Sequence, residues 1–201
     1  PPCYEHLDDI YKLLYKIRYQ NLNLNNENCK ELYYSSVNRR RLNLLMNGPK
    51  YIDYNMFGTI TGRLTTQTKS FPILTVRKDF RKLIKPHNEW FLSLDYNAAE
   101  VRTFLALANE AQPDEDVHQW HIKNLIKEEL TRDDAKLKFF AWLYDYKSEE
   151  TEFEKYKRSE LVAKWYDGEY VETPFKRKIK VDKRRALNYL IQSTTADLVL
   201  E

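Results

Sequence analysis

The stretch "WFLSLDYNAAEVR", residues 90 to 102, decides the fold. Its apolar run over residues 90 to 95 predicts a strand ending at Asp95, and the pattern restarts after a turn as a helix from Ala98 to Asn109. Asn97 predicts the helix cap, with Glu100 three residues later closing a capping box. The same residues permit a second reading. A carboxylate at the carboxyl end of a strand faces the crevice where α/β enzymes keep their chemistry, so Asp95 is equally a candidate metal ligand. The stretch alone leaves both open.

Around it, composition sets the class. Hydrophobic residues make up 42% of the 201 and aromatics 14%, with fifteen tyrosines, which is a globular rather than a disordered composition. Four glycines argue against a β-sandwich. No apolar run approaches the ~20 residues of a membrane helix, and "PPCYEHLDDI" lacks the basic start and apolar core of a signal peptide. Cys3 and Cys29 have no zinc-ligand spacing and read as ordinary thiols of a reduced compartment. The net charge is only +3. Its cations cluster, however, at residues 39 to 41, 77 to 85 and 176 to 185, which points to a polyanion track, nucleic acid ahead of membrane.

Along the chain, Leu7, Ile10, Tyr11, Leu14 and Ile17 have the spacing of one helical face, and the Asn-rich "NLNLNNEN" then predicts a loop. "KELYYSSVNRRRLNLLMNG" predicts a helix stopping at Gly48 before Pro49. "KYIDYNMFGTITGRLTT" reads as an extended segment with a tight bend at its two glycines. "VHQWHIKNLIKEEL" and "RDDAKLKFFAWLYDY" predict two helices, the second capped by Thr131 with Asp134 three residues on. "KSEETEFEKYKRSE" reads as an exposed, solvated helix. "EYVETPFKRKIKV" predicts a hairpin, and "KRRALNYLIQSTTADLVLE" a final helix. Because that helix is still apolar in its last turn, residue 201 does not read as a natural domain end. The sum is an α+β chain with its helices concentrated after Asp95.

Arg132, Lys136, Phe140 and Tyr144 recur every fourth residue and share one helix face. Two cations followed by two rings suit a nucleotide laid lengthwise, phosphates on charge and base on a π-face. The plainer alternative is core, which is the reading for Phe139, Trp142 and Leu143.

"FGTITGRLTT", "DYNAAEVR", "RDDAKLKFFAWLY" and "RRALNYLIQSTTAD", in that order over about residues 50 to 200, resemble four signature segments of family A DNA polymerases, the bacterial DNA polymerase I type, with phage members nearest in pattern. "YVETPFKRK" also resembles that family's hairpin. The resemblance implies a right-hand polymerase fold. Residues 1–55 would be the end of the thumb, 56–104 the first half of the palm, and 105–201 helical fingers with a hairpin near 169–181. It implies a template-directed DNA polymerase, a cytoplasmic nucleotidyltransferase of a bacterial or phage-infected cell, acting on primer-template DNA and dNTPs with two Mg²⁺ ions.

Residue by residue, the resemblance makes Asp95 the first metal-binding aspartate, with the carbonyl of Tyr96 as a further ligand. Glu100 would exclude a ribose 2′-hydroxyl. Arg132 and Lys136 would hold the triphosphate, assisted by His118, with Lys136 and Asp95 the catalytic pair. Phe140 would lie on sugar and base, and Tyr144 would fill the template-base position until a nucleotide arrives. Arg63, Arg77, Arg184, Asn188 and Gln192 match positions that contact DNA through backbone and minor groove. Arg102 reads as a structural partner of nearby carboxylates.

Several positions depart from the family pattern. Asn97 and Ala98 replace a small-polar pair, and Asp145 replaces the glycine usual after the Tyr144 position. The family's second metal-binding aspartate lies in a downstream His-Asp-Glu segment, and this sequence contains none. The chain alone is therefore expected to be inactive, the missing palm segment coming in cis or from a partner chain. The alternative is a non-catalytic primer-template and nucleotide-binding subunit, or a relic of such a polymerase.

Overall fold

The computed structural model describes residues 4–145, 147–148 and 151–201. Cys3, Tyr146 at the end of the helix expected over residues 132–146, and Glu149 and Glu150 of the expected exposed helix lie outside the described residues. The chain divides into two compact units, residues 1–94 and 95–201. The division falls within the stretch that the resemblance assigns to the palm.

In the first unit, α1 (Tyr4–Arg18) buries Ile10 and Leu14. Tyr11, which belongs to the same sequence pattern, is 61% exposed. The Asn-rich segment is more ordered than a loop. Its β1 (Asn23–Leu24) pairs antiparallel with β4 (Ile84–Lys85), a partner about 60 residues away that no local pattern announces. The expected single helix after it is two elements. A 3₁₀ turn (Glu27–Tyr34) gives way to α2 (Ser36–Asn47), because the Ser35 hydroxyl accepts from the Asn38 N–H and starts a new helix. Gly48 ends α2 with φ −80°, so it is not there for a left-handed bend. A Cβ at this position would come within 2.8 Å of the Leu44 carbonyl oxygen.

The bend expected around Gly58 and Gly62 is a hairpin, β2 (Tyr54–Asn55) with β3 (Thr65–Thr66). Gly62 has φ +80°, and a Cβ on Gly58 would collide with the Thr65 side chain. A 3₁₀ turn (Lys78–Leu83) supplies Phe80 and Leu83 to a core shared with Cys29, Leu42, Leu45, Phe71 and Val76. Burial raises the Cys29 thiol pKa, consistent with an inert core thiol.

The strand expected over residues 90–95 does not form; these residues have no regular secondary structure and no ladder partner among the described residues. Trp90, Leu92 and Leu94 are each more than 80% exposed. A strand exists only through its neighbours' N–H and C=O groups, and no described residue pairs with this run.

The second unit is helical: α3 (Ala99–Leu107), α4 (Val117–Asn124), α5 (Arg132–Tyr144), α6 (Arg158–Trp165) and α7 (Lys183–Leu200). One antiparallel hairpin, β5 (Tyr170–Glu172) with β6 (Lys178–Lys180), stands where expected. The Arg177 guanidinium ties it to Asp197 on α7 at 2.6 Å. Phe139, Trp142 and Leu143 are core, as their spacing indicates. Phe104 meets Phe139, Trp142 and Tyr156 edge-on at 5.6–6.0 Å. The reading of residues 147–160 as one solvated face fails. A 3₁₀ turn (Thr151–Tyr156) buries Phe153 and Tyr156 in this core, where both rings pack edge-on against Phe139 and outweigh the surrounding charge. Among the described residues no helix is long and apolar enough to cross a membrane.

Candidate nucleotide-binding cleft

Within the second unit, a cleft of about 340 Å³ is lined by Asp95, Tyr96, Glu100, His118, Arg132, Lys136 and Phe140, with residues 97–99 forming its floor. Three segments separated in sequence converge here: the turn before α3, the start of α4 and one face of α5.

The turn is built differently from the sequence expectation. Ala98, not Asn97, precedes the helix, and its backbone is left-handed at φ 51° and ψ 45° with no side-chain cap. For a residue with a Cβ this conformation is strained. Two anchors hold it. The Asn97 amide donates to the Asp116 carboxylate at 3.1 Å, which is why it does not cap α3. Arg102 donates to the carbonyls of Asn97, Pro113 and Glu115. With the Gln112 side-chain oxygen as a further acceptor, its partners are carbonyl and amide oxygens rather than the carboxylates expected.

Asp116 is the organising residue that sequence reasoning missed. Its carboxylate caps α4 by accepting from the N–H groups of His118 and Gln119 and pairs with the Arg132 guanidinium at 2.7 Å. Hydrogen bonding from Arg132 foremost, then from Asn97 and the Gln119 N–H, holds its pKa well below the usual carboxylate range. A capping aspartate at the start of "DVHQWH" was legible as a signal; its reach to Asn97 and Arg132 was not.

Thr131 caps α5 as expected, its Oγ1 accepting from the Asp134 N–H at 3.2 Å. Arg132, Lys136 and Phe140 then face the cleft, and Phe140 stacks on Tyr144 with ring centroids 5.7 Å apart. The Tyr144 hydroxyl donates to Glu100 at 2.8 Å, so α5 and α3 are joined at the end of the cleft opposite Arg132. Glu100 therefore does not close a capping box. Asp145 ends α5 in an extended conformation, φ −85°, where the residue needs no glycine.

His118 is 2% exposed, and its Nδ1 lacks a hydrogen-bond partner within the protein. Burial lowers its pKa, which favours the neutral ring. His121 lies deeper, stacked on Phe139 with 4.7 Å between centroids and hydrogen-bonded to the Tyr156 hydroxyl at 3.0 Å. Burial first, then the neighbouring His118 and Lys155, depresses its pKa to about 3.

The expected DNA-contacting residues are not in this cleft. Arg184, Asn188 and Gln192 form one stripe of α7 at four-residue intervals. In the first unit, Arg63 lies in the β2–β3 turn, and Arg77 lies over the Phe80 ring and pairs with Asp79.

For a metal, the donor set fits in part. Asp95 and the Tyr96 carbonyl offer hard oxygens of the kind Mg²⁺ takes. Among the described residues no group of three His, Cys, Asp or Glu side chains is disposed to hold an ion, so the residues do not fit a complete two-ion site.

Comparison with solved structures places this architecture. The polymerase domain of Pol1 from M. smegmatis, solved in complex with DNA primer-template and dNTP, superposes with a TM-score of 0.59 at 18% identity. The fold is similar to that of a DNA polymerase domain. The match covers 82% of this chain and 40% of the Pol1 chain, so the chain spans about two fifths of that neighbour. No protein-family profile matches the sequence, and no curated protein matches it.

Proposed function

We propose that the cleft binds the incoming dNTP of a template-directed DNA polymerase, and that this chain carries the first half of its palm and its fingers. The observation that carries the reading is the convergence of Asp95, Glu100, His118, Arg132, Lys136 and Phe140 on one cleft.

In this reading Arg132 and Lys136 neutralise and position the triphosphate, and the neutral His118 adds a hydrogen bond. Arg132 exchanges its pairing with Asp116 for phosphate oxygens. Phe140 lies on the sugar and base, while Glu100, held by the Tyr144 hydroxyl, crowds the position a 2′-hydroxyl would take. This disfavours ribonucleotides and with them a single-subunit RNA polymerase. The primer 3′-oxygen attacks the α-phosphorus, the bond to the bridging oxygen breaks, pyrophosphate leaves, and the hydroxyl proton passes to solvent. Mg²⁺, when bound, supplies charge neutralisation at the phosphates; Asp95 is the one carboxylate assigned to it here. A second carboxylate comes from a palm segment in cis or from a partner chain, and without it the 201-residue chain binds nucleotide but does not extend a primer. Arg184, Asn188 and Gln192 on α7, with Arg63 and Arg77, would contact primer-template DNA.

That no group of three His, Cys, Asp or Glu side chains among the described residues is disposed to hold an ion favours the second reading, a non-catalytic nucleotide-binding subunit. Calorimetric titration of this chain with dATP and ATP tests the cleft itself. Binding of dATP is expected to weaken about tenfold or more in Lys136→Ala, given the strength of charge-assisted contacts to phosphate. Glu100→Ala is expected to bring ATP close to dATP. Equal binding of dATP by Lys136→Ala and the parent chain overturns the assignment.

A further inference from the structure

Helix α1 presents more aromatic surface than its packing uses. Tyr11 and Tyr15 on α1 and Tyr19, the residue after its end, are 61%, 51% and 66% exposed at four-residue intervals. Their ring centroids lie 6.4 Å and 4.7 Å apart. Four helical residues advance about 6 Å, so the rings form a ladder along the helix. Lys12, Lys16 and Arg18 alternate with them; Lys12 pairs with Asp8 at 2.6 Å and Arg18 with Asp53 at 3.4 Å. Beside the ladder, Tyr11, Tyr15 and Arg18 wall a pocket of about 170 Å³ against Tyr54, Phe57 and Gln67. Phe57 is 79% exposed.

We propose that this face binds single-stranded nucleic acid, its bases stacked on the tyrosine ladder and one base turned into the Tyr54–Phe57 pocket. The chemistry selects the occupant. Exposed rings stack on the π-face of any base, and interleaved cations follow the phosphate backbone. A duplex hides those faces inside its own stack and gives the ladder nothing to hold. Phosphates exchange with Asp8 at Lys12 and with Asp53 at Arg18, surface ion pairs that contribute little by themselves. Every residue of the track lies in the first unit, so the proposal stands whether or not the cleft of the second unit catalyses.

Fluorescence anisotropy of a labelled oligothymidylate of about twelve nucleotides, within the span of known single-strand modules, tests this on the 201-residue chain. The double variant Tyr11→Leu/Tyr15→Leu is expected to bind about tenfold more weakly, the loss of two stacking rings. Tyr11→Phe/Tyr15→Phe should bind like the parent, and Lys16→Gln should flatten the salt dependence. Affinity for a blunt duplex of equal length should not change in any variant. Photo-crosslinking of a 5-iodouracil oligonucleotide to the unaltered chain should label peptide 11–20, which decides the matter even if a variant misfolds. Failure of the parent chain to bind, undiminished binding by a folded leucine variant, or crosslinks confined to other peptides overturns the proposal. So does loss of self-association on sedimentation in the leucine variant with oligonucleotide binding intact, which would make the face a protein interface.

Discussion

Residues 90–94 lead into the cleft residue Asp95 and helix α5 carries three more cleft residues; both contain strong apolar runs, and they fare oppositely in the fold. In α5, Phe139, Trp142 and Leu143 are buried and Thr131 closes the first turn. In the other, Trp90, Leu92 and Leu94 stand more than 80% exposed with no ladder. A helix satisfies its own backbone within four residues. A strand borrows every hydrogen bond from a neighbour, so the same hydrophobic strength yields structure in one case and an unpaired run in the other.

That contrast can be broken by substitution. Phe104→Ala, removing the ring at the centre of the helical core, should destabilise the protein by about 3–5 kcal/mol in urea titration. A loss below roughly 1 kcal/mol would mean the helices are as loosely held as residues 90–94. Next in size is the pH dependence of the same core. With the folded His121 pKa depressed to about 3, an unfolded imidazole takes up its proton first as pH falls below ~6.5. Stability from His121 is therefore complete above that value and declines progressively toward pH 3. The low pKa of Asp116 adds a further loss only below the ordinary carboxylate range. Urea midpoints from pH 7 to 4.5 should fall in the parent chain and fall less in His121→Phe. Equal slopes would show that His121 is not buried as a neutral ring.

Thr131→Ala should cost about 1 kcal/mol, the usual worth of a helix cap, read from thermal unfolding. Smallest is Leu92→Ser/Leu94→Ser, expected within about 0.5 kcal/mol of the parent chain because neither side chain is packed. A substantial loss would sink the comparison by showing that the run is buried in solution.

The same division explains what could be read from sequence. Caps, helical periods and the hairpin at 170–180 are local, and Thr131, the α5 stripe and the 57–66 turn were all visible. The β1–β4 pairing, the burial of Phe153 and Tyr156, and the left-handed Ala98 depend on residues distant in sequence. The cleft was legible as residue types at motif spacing. Its frame was not, because Asp116 acts through Asn97 and Arg132, partners 19 and 16 residues away.

Single-nucleotide primer extension with Mg²⁺ by the complete protein that carries these residues, with and without Asp95→Asn, tests the central claim most directly. A template-directed dNTP addition that falls by about 10²–10³-fold or more in the variant, as when a charge-stabilising group is removed from an active site, is the result predicted here. Undiminished extension by Asp95→Asn, or tight nucleotide and DNA binding without extension by either protein, would contradict it and leave the cleft a binding site alone.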